Sequence, residues 1–314
     1  MNKLLLAALV SSALSVSAYA ADYTIIAPAA PGGGWDQTAR TMQEALTAEG
    51  ISGNVQVVNV AGAGGTIGLA QFATQDNGNP NALIVGGYVM VGAILTNASP
   101  VTLDNVTPIA RLTGEAVGIV VPTASDIQSM DDLVAKLKED TGAVSWAGGS
   151  AGGVDHITAG LIAKAIGVDP TQVNYIAYSG GGEALAAILG GQVTVGISGI
   201  SEFGPQIDAG ELRLIAVSTD TRVPGFDAPT LEEAGVDVAV QNWRMVAAAP
   251  GITDEQRDAI TADIKAMAES AAWQTALETK GWVDTYLDGE AFETQLDADI
   301  AATEAILKDI GLVQ

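Results

Sequence analysis

Glycine-rich segments are the most suggestive feature of this 314-residue chain, because their positions could build an anion-binding site. Each segment follows a β-rich run and precedes a helical pattern. A helix N-terminus offers unpaired N–H groups and a partial positive charge, and glycine lets the backbone approach a bound group closely. One such loop is more simply a tight turn, but four in one chain, two in each half, favour a ligand with several carboxylates. The segments span residues 31–34, 62–65, 148–153 and 179–182.

A few side chains beside these loops could also contact a ligand. Trp35 either lines the mouth of a cleft or starts the apolar face of its helix, and Asp36 in the first helical turn suits the helix dipole. Tyr88 follows two glycines at a strand end, where its hydroxyl group would reach a cleft. Arg111 and Arg244 are candidates for a cation at the site, although each is equally consistent with a surface ion pair.

A nucleophile motif raises the alternative of an enzyme. Residues 148–152 read G-x-S-x-G around Ser150, between a predicted strand and a predicted helix, as in a nucleophile elbow. The one histidine of the chain, His156, lies six residues later on the same helix, whereas the triad histidine of such hydrolases lies far downstream. A serine hydrolase is therefore disfavoured. His156 is interpreted as either a polar residue at the cleft edge or a packing residue.

The composition excludes several kinds of protein. With 37 acidic and 13 basic residues, a formal net charge of −24, the chain lacks the basic surface that general nucleic-acid binding requires. The absence of cysteine rules out disulfides, thiolate nucleophiles and cysteine-ligated metals, and a single histidine rules out a multi-histidine metal site. No nucleotide motif is complete, since segment 62–68 misses the final glycine of G-x-G-x-x-G by one position. We therefore expect no cofactor and no metal.

The first 20 residues are typical of a secretory signal peptide. Lys3 supplies the positive start, an apolar run follows, and residues 18–20 read Ala-Tyr-Ala, a small-x-small cleavage site. The alternative is a membrane anchor, but the run is too short to span a bilayer core of about 30 Å. We expect cleavage after Ala20 and a periplasmic location.

Strand and helix patterns alternate along both halves of the chain. This order predicts an α/β fold with two lobes, each a mainly parallel sheet flanked by helices, and a ligand cleft between them. The first lobe is predicted to contain residues 21–122 and 236–314, and the second lobe residues 123–235, with crossings near 120–124 and 234–242. One long doubly wound sheet is the alternative. The predicted strands span residues 23–27, 55–60, 82–85, 144–146, 173–178, 193–197, 212–217, 238–240 and 245–249, and two long helices follow.

Short motifs occur in order along the chain after residue 20. They are PGGGWD at 31–36, SWAGGSAGGVDH at 145–156, YSGGGEAL at 178–185, LGGQV at 189–193, GELR at 210–213, PTLEEAG at 229–235 and NWR at 242–244. Together these motifs resemble those of one family of extracytoplasmic solute receptors. These are the substrate-binding proteins of tripartite tricarboxylate transporters, also called the Bug family.

The resemblance implies a two-lobed binding protein without catalysis that closes over an organic acid and delivers it to a membrane permease of one large and one small subunit. The Trp35 form of the first loop resembles the tricarboxylate branch of the family, so a citrate-type ligand is expected, with a dicarboxylate as the alternative. We expect a monomer that binds no nucleic acid. The predicted ligand contacts are Gly32, Gly33, Gly34, Trp35, Asp36, Gly64, Gly65, Thr66, Tyr88, Ser150, Ala151, Gly152, Gly153, His156, Tyr178, Ser179, Gly180, Gly181, Ser198 and Arg244.

Overall fold

The structure is a computed structural model that describes residues 21–314. The predicted signal peptide and its cleavage site after Ala20 lie outside the described residues. Within residues 21–314, no helix is both long and apolar enough to cross a membrane.

The first part of the chain alternates strands and helices, as predicted. Its elements are β1 (Ala21–Ala27), α1 (Gly34–Ala48), β2 (Ser52–Asn59), α2 (Thr66–Gln75), β3 (Ala82–Gly87) and α3 (Tyr88–Thr96). Strand β1 lies between β2 and β3 and pairs parallel with both. The glycine-rich segments 31–34 and 62–65 therefore lie at the carboxyl edge of a parallel sheet, where such sheets bind their ligands.

The middle of the chain repeats this alternation after one long strand. Its elements are β4 (Thr107–Pro122), α4 (Met130–Glu139), β5 (Ser145–Gly148), α5 (Val154–Ala165), β6 (Asn174–Ala177), α6 (Gly181–Leu189), β7 (Val195–Gly199), α7 (Ile200–Asp208) and β8 (Leu212–Val217). Strand β5 lies between β6 and β7 and pairs parallel with both. The segments 148–153 and 179–182 thus stand at the start of α5 and α6.

The last part of the chain packs on the sheet of the first part. Its elements are β9 (Gln241–Ala248), α8 (Asp254–Ala268), α9 (Ala271–Lys280), β10 (Val283–Asp288) and α10 (Gly289–Asp309). Strand β9 lies between β3 and β4, while α8 contacts α1 and α10 contacts α3. Residues 238–240, which were predicted to be a strand, form none, because β9 begins only at Gln241.

Strand β4 connects the two halves of the molecule. Its residues 107–116 pair with β9 and β10, and its residues 117–122 pair with β7 and β8. The strand therefore changes partners between Ala116 and Val117, next to the predicted crossing at 120–124. We call the elements on the β9 side the first lobe (β1–β3, β9, β10, α1–α3, α8–α10) and those on the β7 side the second lobe (β5–β8, α4–α7).

The predicted α/β class is confirmed, but the prediction of a mainly parallel sheet needs correction. The outer strands of each lobe are parallel, whereas β4 is antiparallel to β7, β8, β9 and β10. Strand β4 runs out of the first lobe into the second, and the strands beside it run in the opposite direction in both. The result is one curved sheet with the order β2-β1-β3-β9-β4-β7-β5-β6.

Candidate ligand-binding site

A small cavity of about 60 Å³ lies between the lobes, at the carboxyl ends of their parallel strands. Helices α1, α2, α5, α6 and α7 all begin beside it, so several helix N-termini converge there. Among the predicted contacts, the cavity is lined by Gly33, Gly34, Trp35, Gly64, Gly65, Ser150, Ser179, Gly180, Gly181, Ser198 and Arg244. The lining residues that were not predicted are Pro28, Ala29, Gly62, Val89, Gly149, Asp155, Glu202 and Asn242.

The loops of the two lobes touch each other across this cavity. A β-carbon placed on Gly33 would lie 3.8 Å from the Cα atom of Gly180, and one on Gly64 would lie 3.3 Å from the Cβ atom of Ser150. Both glycines belong to the first lobe, and both neighbours belong to the second. The loops of the two lobes are therefore in contact beside the cavity, as expected for a closed arrangement of the lobes.

The only arginine lining the cavity in the described part of the chain is Arg244 on β9, which is 1% exposed. Its Nη2 atom donates to Oε2 of Glu115 on β4, which is 0% exposed. The other oxygen of Glu115, Oε1, accepts the N–H of Ser201 at 2.7 Å, at the start of α7. Glu115 thus joins the cation of the first lobe to a helix N-terminus of the second lobe, at the point where β4 changes partners.

The other terminal nitrogen of the Arg244 guanidinium, Nη1, is buried and has no hydrogen-bond partner among residues 21–314. A buried charged donor without a partner is costly, so an acceptor is needed at this point. The guanidinium also lies against Gly34, the first residue of α1, where a β-carbon would overlap Nη2. Because a helix N-terminus is itself positive, Arg244 and α1 together favour an anion in the cavity.

Two buried carboxyl groups of the second lobe face Arg244. Asp155 on α5 accepts the N–H of Gly149 at 2.8 Å, and Glu202 on α7 accepts the hydroxyl of Ser198 at 3.1 Å through Oε1. Burial, reinforced by the nearby charge of Glu115, raises the pKa of Asp155 to about 7 and that of Glu202 to about 8. Neither acid was among the predicted ligand contacts, although Asp155 lies within the motif at 145–156.

Replacing Asp155 with asparagine is expected to remove a pH dependence of stability. Burial raises the pKa of Asp155 from 3.8, the value expected in the unfolded chain, to about 7 in the folded protein. The folded state is therefore most stable below the first pKa and loses stability as pH rises through the second, because Asp155 must then ionise inside the protein. Thermal unfolding without ligand, between about pH 4 and 8, should show the wild type losing up to a few kcal/mol relative to the variant. Parallel curves for the two proteins would contradict this pKa.

Asp36 and Gly32 do not line the cavity but shape the first loop. The carboxylate of Asp36 accepts the N–H of Gly32 at 2.8 Å, the side-chain amide of Asn59 at 2.9 Å and Nε of Arg40 at 3.0 Å. Burial opposes ionisation, but the hydrogen bonds from Arg40, Gly32 and Asn59 outweigh it and hold the pKa of Asp36 below its usual value. Asp36 is therefore a positioning residue for the loop that carries Gly33 and Gly34.

Thr66 and Tyr88 also lie outside the cavity lining. The hydroxyl of Thr66 donates to the carbonyl oxygen of Ala63 at 2.8 Å, which closes the turn before α2. The Tyr88 ring stacks on Trp243, with ring centres 6.2 Å apart, and burial raises the pKa of Tyr88 to about 12. Its neighbour Val89 reaches the cavity instead.

The remaining predicted loop residues lie at the junction of the lobes. Ala151 and Tyr178 line a separate side cavity of about 250 Å³, together with Ser150 and Ser179. Gly152 and Gly153 pack against α3: a β-carbon on Gly153 would lie 2.9 Å from a methyl carbon of Val89. Their lack of side chains lets the two lobes approach.

His156 has a structural environment and no base-like contact. Its Nδ1 accepts the N–H of Gly152 at 3.2 Å, and its ring stacks on Tyr175 with centres 4.2 Å apart. Burial lowers its pKa to about 4, and among the described residues it makes no hydrogen bond to Ser150. No observation therefore favours a serine hydrolase. The other candidate cation, Arg111, pairs with Asp299 at 3.3 Å and does not line the cavity.

Comparison with known proteins gives matches over most of the chain. Residues 38–312 match the family model described as the tripartite tricarboxylate transporter family receptor. A UPF0065 protein of Bordetella bronchiseptica is 30% identical over 243 residues, which are 76% of this chain and 71% of that protein. The UPF0065 protein of the ttuE–ttuC′ intergenic region of Agrobacterium vitis is 27% identical over 223 residues. That match covers 70% of this chain and 63%, less than two thirds, of the Agrobacterium protein.

Solved structures share the fold. The periplasmic binding protein BugD is 23% identical, with a TM-score of 0.81, and the match covers 93% of this chain and 98% of BugD. MatC from Rhodopseudomonas palustris, solved with bound malate, is also 23% identical, with a TM-score of 0.81 and coverage of 91% and 98%. These similarities show the two-lobed fold of periplasmic binding proteins.

Proposed function

Because the chain belongs to the tripartite tricarboxylate transporter receptor family, as its motifs predicted, we propose that it captures an organic carboxylate between its lobes and delivers it to a membrane permease. The family is one of solute-binding receptors, and we propose that the chain carries out no catalysis. We further propose that it acts in the periplasm as a monomer, after cleavage of a signal peptide near Ala20. Lobe closure is the step that would commit the ligand to delivery.

One observation carries the proposal of a carboxylate ligand. Arg244, whose buried Nη1 has no partner among residues 21–314, lines a cavity between the lobes whose walls are largely glycine backbone and helix N-termini. A carboxylate can accept from the guanidinium and from backbone N–H groups at once, and charge-assisted hydrogen bonds of this kind are strong.

We propose a tricarboxylate of the citrate type as the ligand, with a dicarboxylate as the alternative. The Trp35 loop favours the tricarboxylate, since it resembles that branch of the family. Trp35 is 7% exposed and lines the cavity, where it packs against Gly65 of the second loop. MatC, which shares the fold, was solved with bound malate, a dicarboxylate. The ligand screen below therefore includes both dicarboxylates and tricarboxylates.

A thermal-shift screen of the purified protein tests the proposal. The acids are citrate, tricarballylate, malate and succinate, because they differ in the number of carboxylates and in one hydroxyl group. At least one acid should raise the unfolding temperature in a concentration-dependent way, as expected for a ligand that binds only the folded state. No shift with any acid would overturn the proposed function. The variant Arg222→Gln, which removes an exposed arginine paired with Glu233, should behave as the wild type.

A further inference from the structure

Two buried polar atoms that lack a partner in the described part of the chain belong to side chains that line the same cavity, one from each lobe. One is Nη1 of Arg244, from the first lobe, and the other is Oε2 of Glu202, from the second lobe. Both atoms are buried and have no hydrogen-bond partner among the described residues. Since buried polar groups are nearly always hydrogen-bonded in folded proteins, this pair indicates two distinct polar groups on one ligand.

The position of Glu202 is fixed by its surroundings. Ser198, one turn earlier at the end of β7, donates its hydroxyl to Oε1, whereas Oε2 has no partner among the described residues. A β-carbon on Gly181, the first residue of α6, would overlap Oε2, so only glycine at this position leaves room for the carboxyl group. Gly34, the first residue of α1, leaves room for the guanidinium of Arg244 in the same way. The two lobes therefore each use the first residue of a helix to admit one polar side chain.

The charges around Glu202 restrict what it can bind. Glu115 on β4 and Asp155 on α5 lie near it, and Arg244 on β9 is the one cation that faces this group within residues 21–314. A second ligand carboxylate placed at Oε2 would set three negative charges, those of Glu115 and of the two ligand carboxylates, against the single cation Arg244. A ligand ammonium would need an ionised partner, whereas burial raises the pKa of Glu202 to about 8 and favours its protonated form.

We propose that the ligand is a hydroxycarboxylate, whose carboxylate binds Arg244 and whose hydroxyl binds Oε2 of Glu202. A hydroxyl group can both donate and accept, so it suits Glu202 in either protonation state. This inference rests on the proposed function, because it assumes a carboxylate at Arg244. Glu202 is the residue that sets the preference for the hydroxyl group.

Calorimetric titration with pairs of acids that differ by one hydroxyl group tests this assignment. The pairs are citrate with tricarballylate and malate with succinate. For the pair that binds, the wild type should prefer the hydroxy acid by about tenfold or more, because a site built for a hydroxyl leaves a polar group unpaired when the other acid binds.

Three variants test the role of Glu202 in this preference. Glu202→Ala should reduce the difference in affinity between the two acids to about threefold or less, because only the hydroxy acid loses a hydrogen bond. Glu202→Gln, which keeps the shape and a hydrogen-bonding group, should keep part of the preference. Asp208→Asn, at the exposed end of the same helix, should keep all of it.

Each other outcome overturns the assignment. Equal affinity of the wild type for both acids of a pair contradicts a role for the hydroxyl group, while leaving carboxylate binding intact. Aspartate, which carries an ammonium group where malate has its hydroxyl, is titrated as well, and tighter binding of aspartate than of malate shows that the second group on the ligand is an ammonium. A preference that survives in Glu202→Ala places the hydroxyl elsewhere. Absence of binding for every acid overturns the proposed function together with this inference.

Discussion

Replacing Arg244 with glutamine is expected to weaken citrate binding by about a hundredfold or more, because the variant removes the only cation that lines the cavity within residues 21–314. Stability should fall as well. Arg244 is paired with Glu115, and both side chains are at most 1% exposed, so the substitution leaves a buried carboxylate without its counter-charge. Removing one partner of such a pair typically costs about 3–5 kcal/mol. Isothermal titration measures the first effect, and thermal unfolding the second.

The double variant Glu115→Gln with Arg244→Gln separates binding from stability. Two neutral side chains of similar size can hydrogen-bond to each other, so most of the lost stability should return. Binding should not return, because the cavity still lacks a positive group. Arg111→Gln is the matched control, since it removes a partly buried arginine of the first lobe that does not line the cavity. Citrate binding by the double variant at wild-type strength would show that Arg244 is not the carboxylate contact.

Replacing Gly92 with alanine is expected to separate stability from lobe closure. Gly92 lies within α3 of the first lobe, and a β-carbon there would overlap the carbonyl oxygen of Gly152 in the second lobe. Alanine stabilises the interior of a helix by about 1 kcal/mol relative to glycine, so the open form should gain stability. Closure, in contrast, should be blocked by this close backbone contact, and ligand affinity should fall by roughly tenfold or more. Isothermal titration together with small-angle scattering, with and without ligand, measures both effects.

Gly204→Ala is the control for this variant, because it also changes a glycine inside a helix. A β-carbon on Gly204 would lie 3.8 Å from a ring carbon of Phe226, which is an ordinary contact within the second lobe. This variant should therefore bind ligand and become more compact as the wild type does. Affinity and compaction equal to those of the wild type in Gly92→Ala would show that closure does not require the close contact between α3 and the loop 148–153.

The local pattern of the first lobe was predictable from the sequence, because it depends on neighbouring residues. The strands β1, β2 and β3, the helices after β1 and β2 and the glycine-rich turns before those helices all follow from hydrophobic periodicity and turn chemistry. The apolar face of α1, which includes Trp35, Ala39, Met42 and Leu46, is buried at the spacing of a helix. The position of the loops at one edge of a parallel sheet then follows from the alternation itself.

The pairing around β4 was not predictable in the same way, since it depends on residues far apart in the chain. Arg244 and Glu115 are 129 positions apart, and they meet because β9 returns beside β4. The residue types near Arg244 were equally consistent with a surface arginine, and only the resemblance that includes the motif at 242–244 placed Arg244 among the ligand contacts. The buried acids are equally hidden, because Glu115 and Glu202 are two among 37 acidic residues and their burial is a property of the fold.

The claim that a carboxylate binds at Arg244 between the closed lobes is tested most directly by isothermal titration of citrate into the wild type and into the double variant Glu115→Gln with Arg244→Gln. We predict saturable binding with one site per chain for the wild type, and no measurable binding for the double variant at the same concentrations. Equal binding by the two proteins would contradict the claim. So would a wild type that binds neither citrate nor tricarballylate, malate or succinate.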